Sequence, residues 1–225
     1  MDQALTSLIA ASVTLVGTHF ALSHPLRTPL VHMLGETGFM LLYSLVALAS
    51  LGWMALAFRA VEGGMLGGSG DIGWAIATAL TLPAIVLLLG SFAGNPALPA
   101  PGAEKAARAA PAGAFRVTRH PMMWSFALWA IAHIALWWSW RTNVVAMAIL
   151  ILALVGAHLQ DRKKRALMGD AWEAWQSNTS YWPRVGQLPR VGWQPWLAGT
   201  AVWLVVTWAH IQAAGIPAGI WRWIG

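Results

Sequence analysis

The chain has 225 residues, of which 58% are hydrophobic and only 10% charged, and its mean hydropathy of +0.58 lies outside what a soluble domain of this length shows. The absence of cysteine excludes disulfides, thiolate metal sites, iron-sulfur clusters and thiol catalysis. The net charge of +6 comes from residues that border apolar stretches, where they set topology and meet anionic lipid, so nucleic acid is not an expected partner.

Crossing ~30 Å of hydrocarbon at about 1.5 Å per residue takes about 20 apolar residues. Six windows suffice, roughly 4–22, 36–58, 72–93, 121–140, 143–160 and 196–214. The expected fold class is all-α: an integral membrane helical bundle of about six transmembrane helices with a cytoplasmic amphipathic helix, in one domain over residues 1–225. Met1-Asp2-Gln3 has no positively charged leader, so the first window is expected to stay in the protein.

The first window carries His19, followed by His24 and the loop residue His32. Before the third, Gly68-Ser-Gly70-Asp-Ile-Gly73 spells a dinucleotide fingerprint but follows a span, not a strand, and reads as a flexible loop. Residues 94–114, rich in Pro, Ala and Gly, read as a flexible cytoplasmic linker between two groups of three spans. The fourth window opens at Arg119-His120-Pro121 and carries His133, while His158 ends the fifth. From 161 to 176, Leu167, Met168, Ala171, Trp172 and Trp175 recur at helical spacing among charges, as in an interfacial amphipathic helix. His210 lies near the outer end of the sixth window. Many of the sixteen tryptophans, namely Trp137, Trp138, Trp140, Trp182, Trp193, Trp196, Trp221 and Trp223, cluster at window ends as an anchoring belt.

With six spans, eleven of the fourteen lysines and arginines fall on one side, and only Arg59, Arg141 and Arg222 on the other. The positive-inside rule makes the basic side cytoplasmic. Both termini are then periplasmic, and the protein is multi-pass in a bacterial inner membrane with lipid as its partner.

No window interior holds Asp or Glu, which argues against a cation relay and leaves histidine as the main candidate ligand. An imidazole in a bundle suits metal or haem ligation; a hydrogen bond to a neighbouring helix is the other reading. Counting by depth gives two layers, with His19, His120 and His158 in the inner one and His133 and His210 further out.

The blocks Phe115-Arg-Val-Thr-Arg-His-Pro-Met-Met-Trp124, Ala127-Leu-Trp-Ala-Ile-Ala-His133, Asp161 to Trp175 and Ser177 to Pro183, with Gly17-Thr-His-Phe-Ala-Leu-Ser-His-Pro-Leu-Arg27 and Leu34-Gly-Glu-Thr-Gly-Phe39 ahead of them, resemble the NnrU family. That family includes zeta-carotene isomerase, a membrane enzyme that uses haem b to isomerise a central cis double bond, and bacterial members linked to denitrification. The resemblance implies haem b held by His19 and His133, with His120 as a catalytic histidine and a hydrophobic small-molecule substrate such as a polyene. A cysteine near the second ligand in the plant enzyme falls on Ala130 here, so thiol-based switching of ligation is not inherited. Arg116, Arg119 and Arg27 are candidate propionate partners, because guanidinium matches carboxylate geometry. Trp124, Phe126 and Trp129 are expected to line the substrate pocket.

Counting at 1.5 Å per residue leaves His19 and His133 about 10 Å apart in depth, whereas His158 with His19, or His210 with His133, match. The resemblance leaves open a non-catalytic accessory protein in denitrification, and the alternative from a different class is an S-adenosylmethionine-dependent membrane methyltransferase of the isoprenylcysteine or phospholipid type. Those enzymes also open a span with Arg-His-Pro ahead of a basic amphipathic stretch. They place a tyrosine after the proline and a glutamate pair before that stretch, where this chain has Met122-Met123 and Gln160-Asp161.

Overall fold

The computed structural model describes residues 2–62, 66–98 and 101–224; Met1 of the expected leaderless start and Pro99 and Ala100 of the expected linker lie outside the described residues. Helix α1 (Gln3–Ser23) starts where the Asp2 carboxylate accepts from the Ala4 N–H at 3.2 Å, a side-chain cap that satisfies a free amide. It is followed by α2 (Arg27–Ala60), α3 (Gly70–Gly90), α4 (Ala103–Arg108), α5 (Pro121–Leu136), α6 (Trp140–Met168), α7 (Asp170–Asn178), α8 (Trp193–Ala214) and α9 (Trp221–Ile224). Among the described residues there is no strand.

Five helices, α1, α2, α3, α6 and α8, are long and apolar enough to cross a membrane. The expected fourth span is shorter. Helix α5 has 16 residues, about 24 Å at 1.5 Å per residue, because Trp137 takes a left-handed conformation at φ 49° and ends it. The chain is thus an all-helical, multi-pass membrane bundle.

Neighbours follow a simple order. Helix α1 packs against α2 and α6, α6 against α5, α5 against α3, and α3 against α8. In lipid the force for this association is close packing and interhelical hydrogen bonding. At the α3–α8 contact, Gly199 lies so near Val86 that a Cβ would sit 2.8 Å from its Cγ2 and 3.1 Å from its Cα. In the same contact the Trp203 indole donates to Thr81 Oγ1 at 3.0 Å. Helix α2 keeps Leu41, Leu45, Leu48 and Leu56 exposed, as a lipid-facing helix should.

Four local features differ from expectation. The second span begins with a prefix: α2 runs from Arg27 through a break at Gly35 (φ 71°, ψ 168°), so His32 is helical and exposed. An ion pair between Arg27 and Glu36, 3.1 Å, spans the break. Within the expected linker, α4 and a 3-10 segment, Gly113–Arg116, form and bury Ala107 and Phe115. The expected amphipathic helix is two pieces, because α6 continues to Met168 and Gly169 (φ 50°) turns the chain into α7. Finally, Trp172 and Trp175 do not reach for lipid: both are buried against Ala97, Ala107 and Phe115. The basic ends of the helices are therefore covered by a packed protein cap. Gly68-Ser-Gly70 is irregular up to the start of α3; of the expected belt Trp137, Trp140, Trp182, Trp193 and Trp223 are exposed, whereas Trp138, Trp196 and Trp221 are part-buried against protein.

Candidate functional site

The Arg119-His120-Pro121 block occupies the junction between cap and bundle. Pro121 opens α5, where a missing N–H costs nothing. The Thr118 hydroxyl lies 2.8 Å from the Tyr181 carbonyl and 3.1 Å from that of Ser180, and the Arg119 N–H donates to Ser180 O at 2.8 Å. The segment after α7 is thereby tied to the start of α5.

Asp161 completes this junction. Helix α6 is free of Asp, Glu, Lys and Arg from Thr142 to Gln160, about 28 Å at 1.5 Å per residue, so Asp161 lies just past the apolar stretch. It accepts from Arg119 Nε at 3.1 and 2.9 Å, from Arg119 Nη2 at 2.6 Å and from His120 Nε2 at 2.9 Å. Burial alone would raise its carboxyl, but the hydrogen bonds from His120 and Arg119 outweigh that and hold it at about 2. The His120 ring is fully enclosed, its Nδ1 has no hydrogen-bond partner, and it lines neither of the two cavities described below. The candidate catalytic histidine is thus held in an ion-paired junction with Arg119, which is not free to meet a propionate. Arg116 is exposed, with its Nε on Pro111 O at 3.4 Å.

The first cavity, about 460 Å³, lies between α1, α2, α5 and α6 near the basic end and is lined by His19, Phe20, Tyr43, Phe126, Leu152 and Lys163 among others. The second, about 630 Å³, lies between α2, α3, α5, α6 and α8 and is lined by His133, His210, Phe126, Trp129, Arg59 and Arg141 among others. Phe126 touches both cavities. His19 and His133 therefore line different cavities, while His133 and His210, the depth-matched pair, share one. His158 is exposed and lines neither. Trp124 is also outside both; it is buried, with its indole donating to Tyr181 O at 2.8 Å.

The three intramembrane histidines have one local arrangement. Nδ1 meets the carbonyl four residues earlier: Leu15 for His19 at 2.9 Å, Trp129 for His133 at 2.8 Å and Val206 for His210 at 2.8 Å. A ring N–H given to the backbone fixes the tautomer and leaves Nε2 with a free lone pair, the form in which histidine binds metal. Trp129 lies against the His133 ring, centroids 4.2 Å apart and planes 35° from parallel, which fixes the ring further. Arg141 is part-buried at the same cavity, with its guanidinium 4.8 Å from the Phe58 ring centroid.

The model of the NnrU protein family matches residues 7–218. The chain belongs to the NnrU family. No curated protein and no solved structure matches it.

In this NnrU protein no group of three or more His, Asp or Glu side chains could hold a metal ion among the described residues. An iron in a porphyrin already has four nitrogen ligands and takes only one or two from protein, so the test for haem is a pair of imidazoles, not a cluster. His133 and His210 line one cavity, together with apolar walls and two arginines. Depth counting could pair them but could not show that α5 and α8 face one space across α3. Sequence reading also assigned Arg59 and Arg141 to topology alone, and it missed the tie between Asp161 and the Arg-His motif, since 41 residues separate Asp161 from His120.

Proposed function

We propose that this NnrU protein binds haem b in the larger cavity through His133 and His210. In this reading it acts on a hydrophobic substrate that enters from lipid, as a cis-trans isomerase of a polyene double bond. The observation that carries the reading is that two imidazoles from two helices line the same apolar cavity, each with Nδ1 committed to its own backbone. His133 is the histidine common to this pair and to the pair the family resemblance implies.

When bound, haem would supply an iron that polarises an electron-rich double bond once one of the two imidazoles yields its position. The rest belongs to the chain. Trp129 and the Trp129 carbonyl orient His133, while Trp74, Leu88, Val145 and Trp203 at the cavity walls exclude water. Arg59 and Arg141 offer guanidinium groups to propionate carboxylates. A long apolar substrate suits these walls, and α2, exposed to lipid over much of its length, is the side from which it would arrive. With the basic, capped end cytoplasmic under the positive-inside rule, this cavity lies toward the periplasmic half of a bacterial inner membrane.

The test is the absorbance spectrum of detergent-purified protein made with ample haem supply, oxidised and dithionite-reduced. A Soret band is expected that His133→Ala and His210→Ala each abolish or shift and that His19→Ala leaves in place. No Soret band in wild type would overturn the haem reading, and loss on His19→Ala with none on His210→Ala would return the site to the implied pair. Isomerase action predicts that cells accumulating cis zeta-carotene convert it when the protein is present in their membranes; an unchanged pigment profile would refute it.

A further inference from the structure

The smaller cavity has a different chemistry from the larger one. Phe20, Ile149 and Leu152 give it hydrocarbon wall from α1 and α6, with His19, Tyr43 and Gln160 among the polar members of the lining. Its mouth at the basic end is lined by Arg27, Lys163 and Lys164, all part-buried. Among the described residues the one carboxylate paired with any of these is Glu36, on Arg27 at 3.1 Å. Lys164 has only the Leu98 carbonyl at 3.5 Å. Three cations therefore face one carboxylate.

Removing cations from water beside hydrocarbon is costly unless an opposite charge compensates. Burial pushes the Lys163 ammonium below the usual lysine range, with the Arg27 and Lys164 charges adding to the effect and Glu36 opposing it. Burial likewise lowers His24 in the turn after α1, and Lys163 and Arg162 add to it. A ring of cations set only for topology would extend into solvent or headgroups. These three converge on the mouth of an apolar cavity instead.

We infer that this cavity binds an anionic amphiphile, its phosphate or carboxylate head held by Arg27, Lys163 and Lys164 and its hydrocarbon chain lying along Phe20, Ile149 and Leu152 toward Phe126. The ligand restores charge balance at the mouth and fills the apolar interior, which neither water nor a free anion does. Lys163 and Lys164 supply point charges suited to a tetrahedral or planar oxyanion, and Arg27, already on Glu36 at 3.1 Å, adds a third cation beside them. The site depends on the reading above in one respect: His19 lines this cavity, so a haem held by His19 and His133 would compete for it.

Gly156 gives an independent handle. A Cβ built there would meet only Phe20 Cε1, at 3.9 Å, so the backbone tolerates a side chain and a leucine would occupy the hydrocarbon part of the cavity with no change in charge. The experiment is native mass spectrometry of the full chain released from detergent micelles and titrated with phosphatidylglycerol, phosphatidylcholine of the same acyl chains, or oleate. One tightly retained equivalent of an anionic species is expected: phosphatidylglycerol if the source is bilayer lipid, oleate if it is a free fatty acid. Phosphatidylcholine should be retained at least tenfold less. The triple substitution Arg27→Gln, Lys163→Gln, Lys164→Gln and, separately, Gly156→Leu should each weaken retention at least tenfold, while Arg116→Gln with Arg190→Gln, exposed cations outside the cavity, should not. Equal retention of the anionic and zwitterionic lipids, or undiminished retention by a folded Gly156→Leu variant, would overturn the inference.

Discussion

Replacing Asp161 by asparagine keeps the shape of the junction between cap and bundle and removes the carboxylate that Arg119 and His120 share. In wild type the carboxylate takes three contacts from Arg119 and one from His120, and the Arg119 side chain is 12% exposed. Asparagine offers one acceptor oxygen where two were used, and its amide donors face a cation. Breaking a buried pair by removing one partner costs about 3–5 kcal/mol, because the remaining charge is left uncompensated. That is a large fraction of the ~5–15 kcal/mol that holds a domain folded. The assay is reversible unfolding in mixed micelles followed by tryptophan fluorescence, to which Trp124 and Trp172 contribute from either side of the junction. A double substitution, Arg119→Met with Asp161→Leu, should recover only the part of the loss that belongs to Arg119, since the enclosed His120 ring is still left without a partner. A loss under about 1 kcal/mol for Asp161→Asn, or simple additivity in the double-mutant cycle, would refute the view that this triad organises the cap. Acid gives the same test without mutation. The carboxyl is at about 2 when folded against 3.8 as the reference, so its contribution is present above pH 3.8, is lost as pH falls toward 2, and should be missing from the pH profile of Asp161→Asn.

Three further outcomes follow from packing. Gly199→Leu should separate α3 from α8, since even a Cβ there meets Val86 at 2.8 Å; a cost of about 1–3 kcal/mol is expected, read as a lower unfolding midpoint and, if the haem reading holds, a perturbed Soret band. Gly35→Val should cost about 1–3 kcal/mol, because φ 71° with ψ 168° is a conformation essentially reserved for glycine; an unchanged midpoint would show that the break is not retained. Trp172→Ala empties a completely buried site in the cap and should cost about 3–5 kcal/mol, with protease cutting appearing within residues 101–116 and 179–192 while the spans stay protected.

Much of the fold was legible in the sequence because a bilayer restricts the choices. Apolar runs of span length and the asymmetric placement of Lys and Arg specify a multi-pass bundle with one basic end, and Pro121 and Gly215 mark helix limits by their backbone preferences. The cap was not legible. Trp172 and Trp175 have the spacing of an interfacial helix, and periodicity cannot say whether an apolar face meets lipid or protein. Phe115 and Ala107, from a stretch whose composition predicts irregular chain, turned out to be the other half of that contact.

The histidines divide along the same line. Residue counting at a fixed rise gives depth, and it placed His133 with His210 and His19 apart from His133. Depth is only one coordinate; the other two depend on which helices are neighbours and how they are rotated. The order α2, α1, α6, α5, α3, α8 brings His133 and His210 to one cavity, puts His19 with Arg27 and Lys163 at another, and closes His120 against Asp161. Sequence alone determined that this is a multi-pass helical membrane bundle, because hydrophobic length and charge act locally along the chain. Which groups share a space was decided only by tertiary packing, because contacts such as Gly199 on Val86 and Arg119 on Asp161 join residues far apart in the chain.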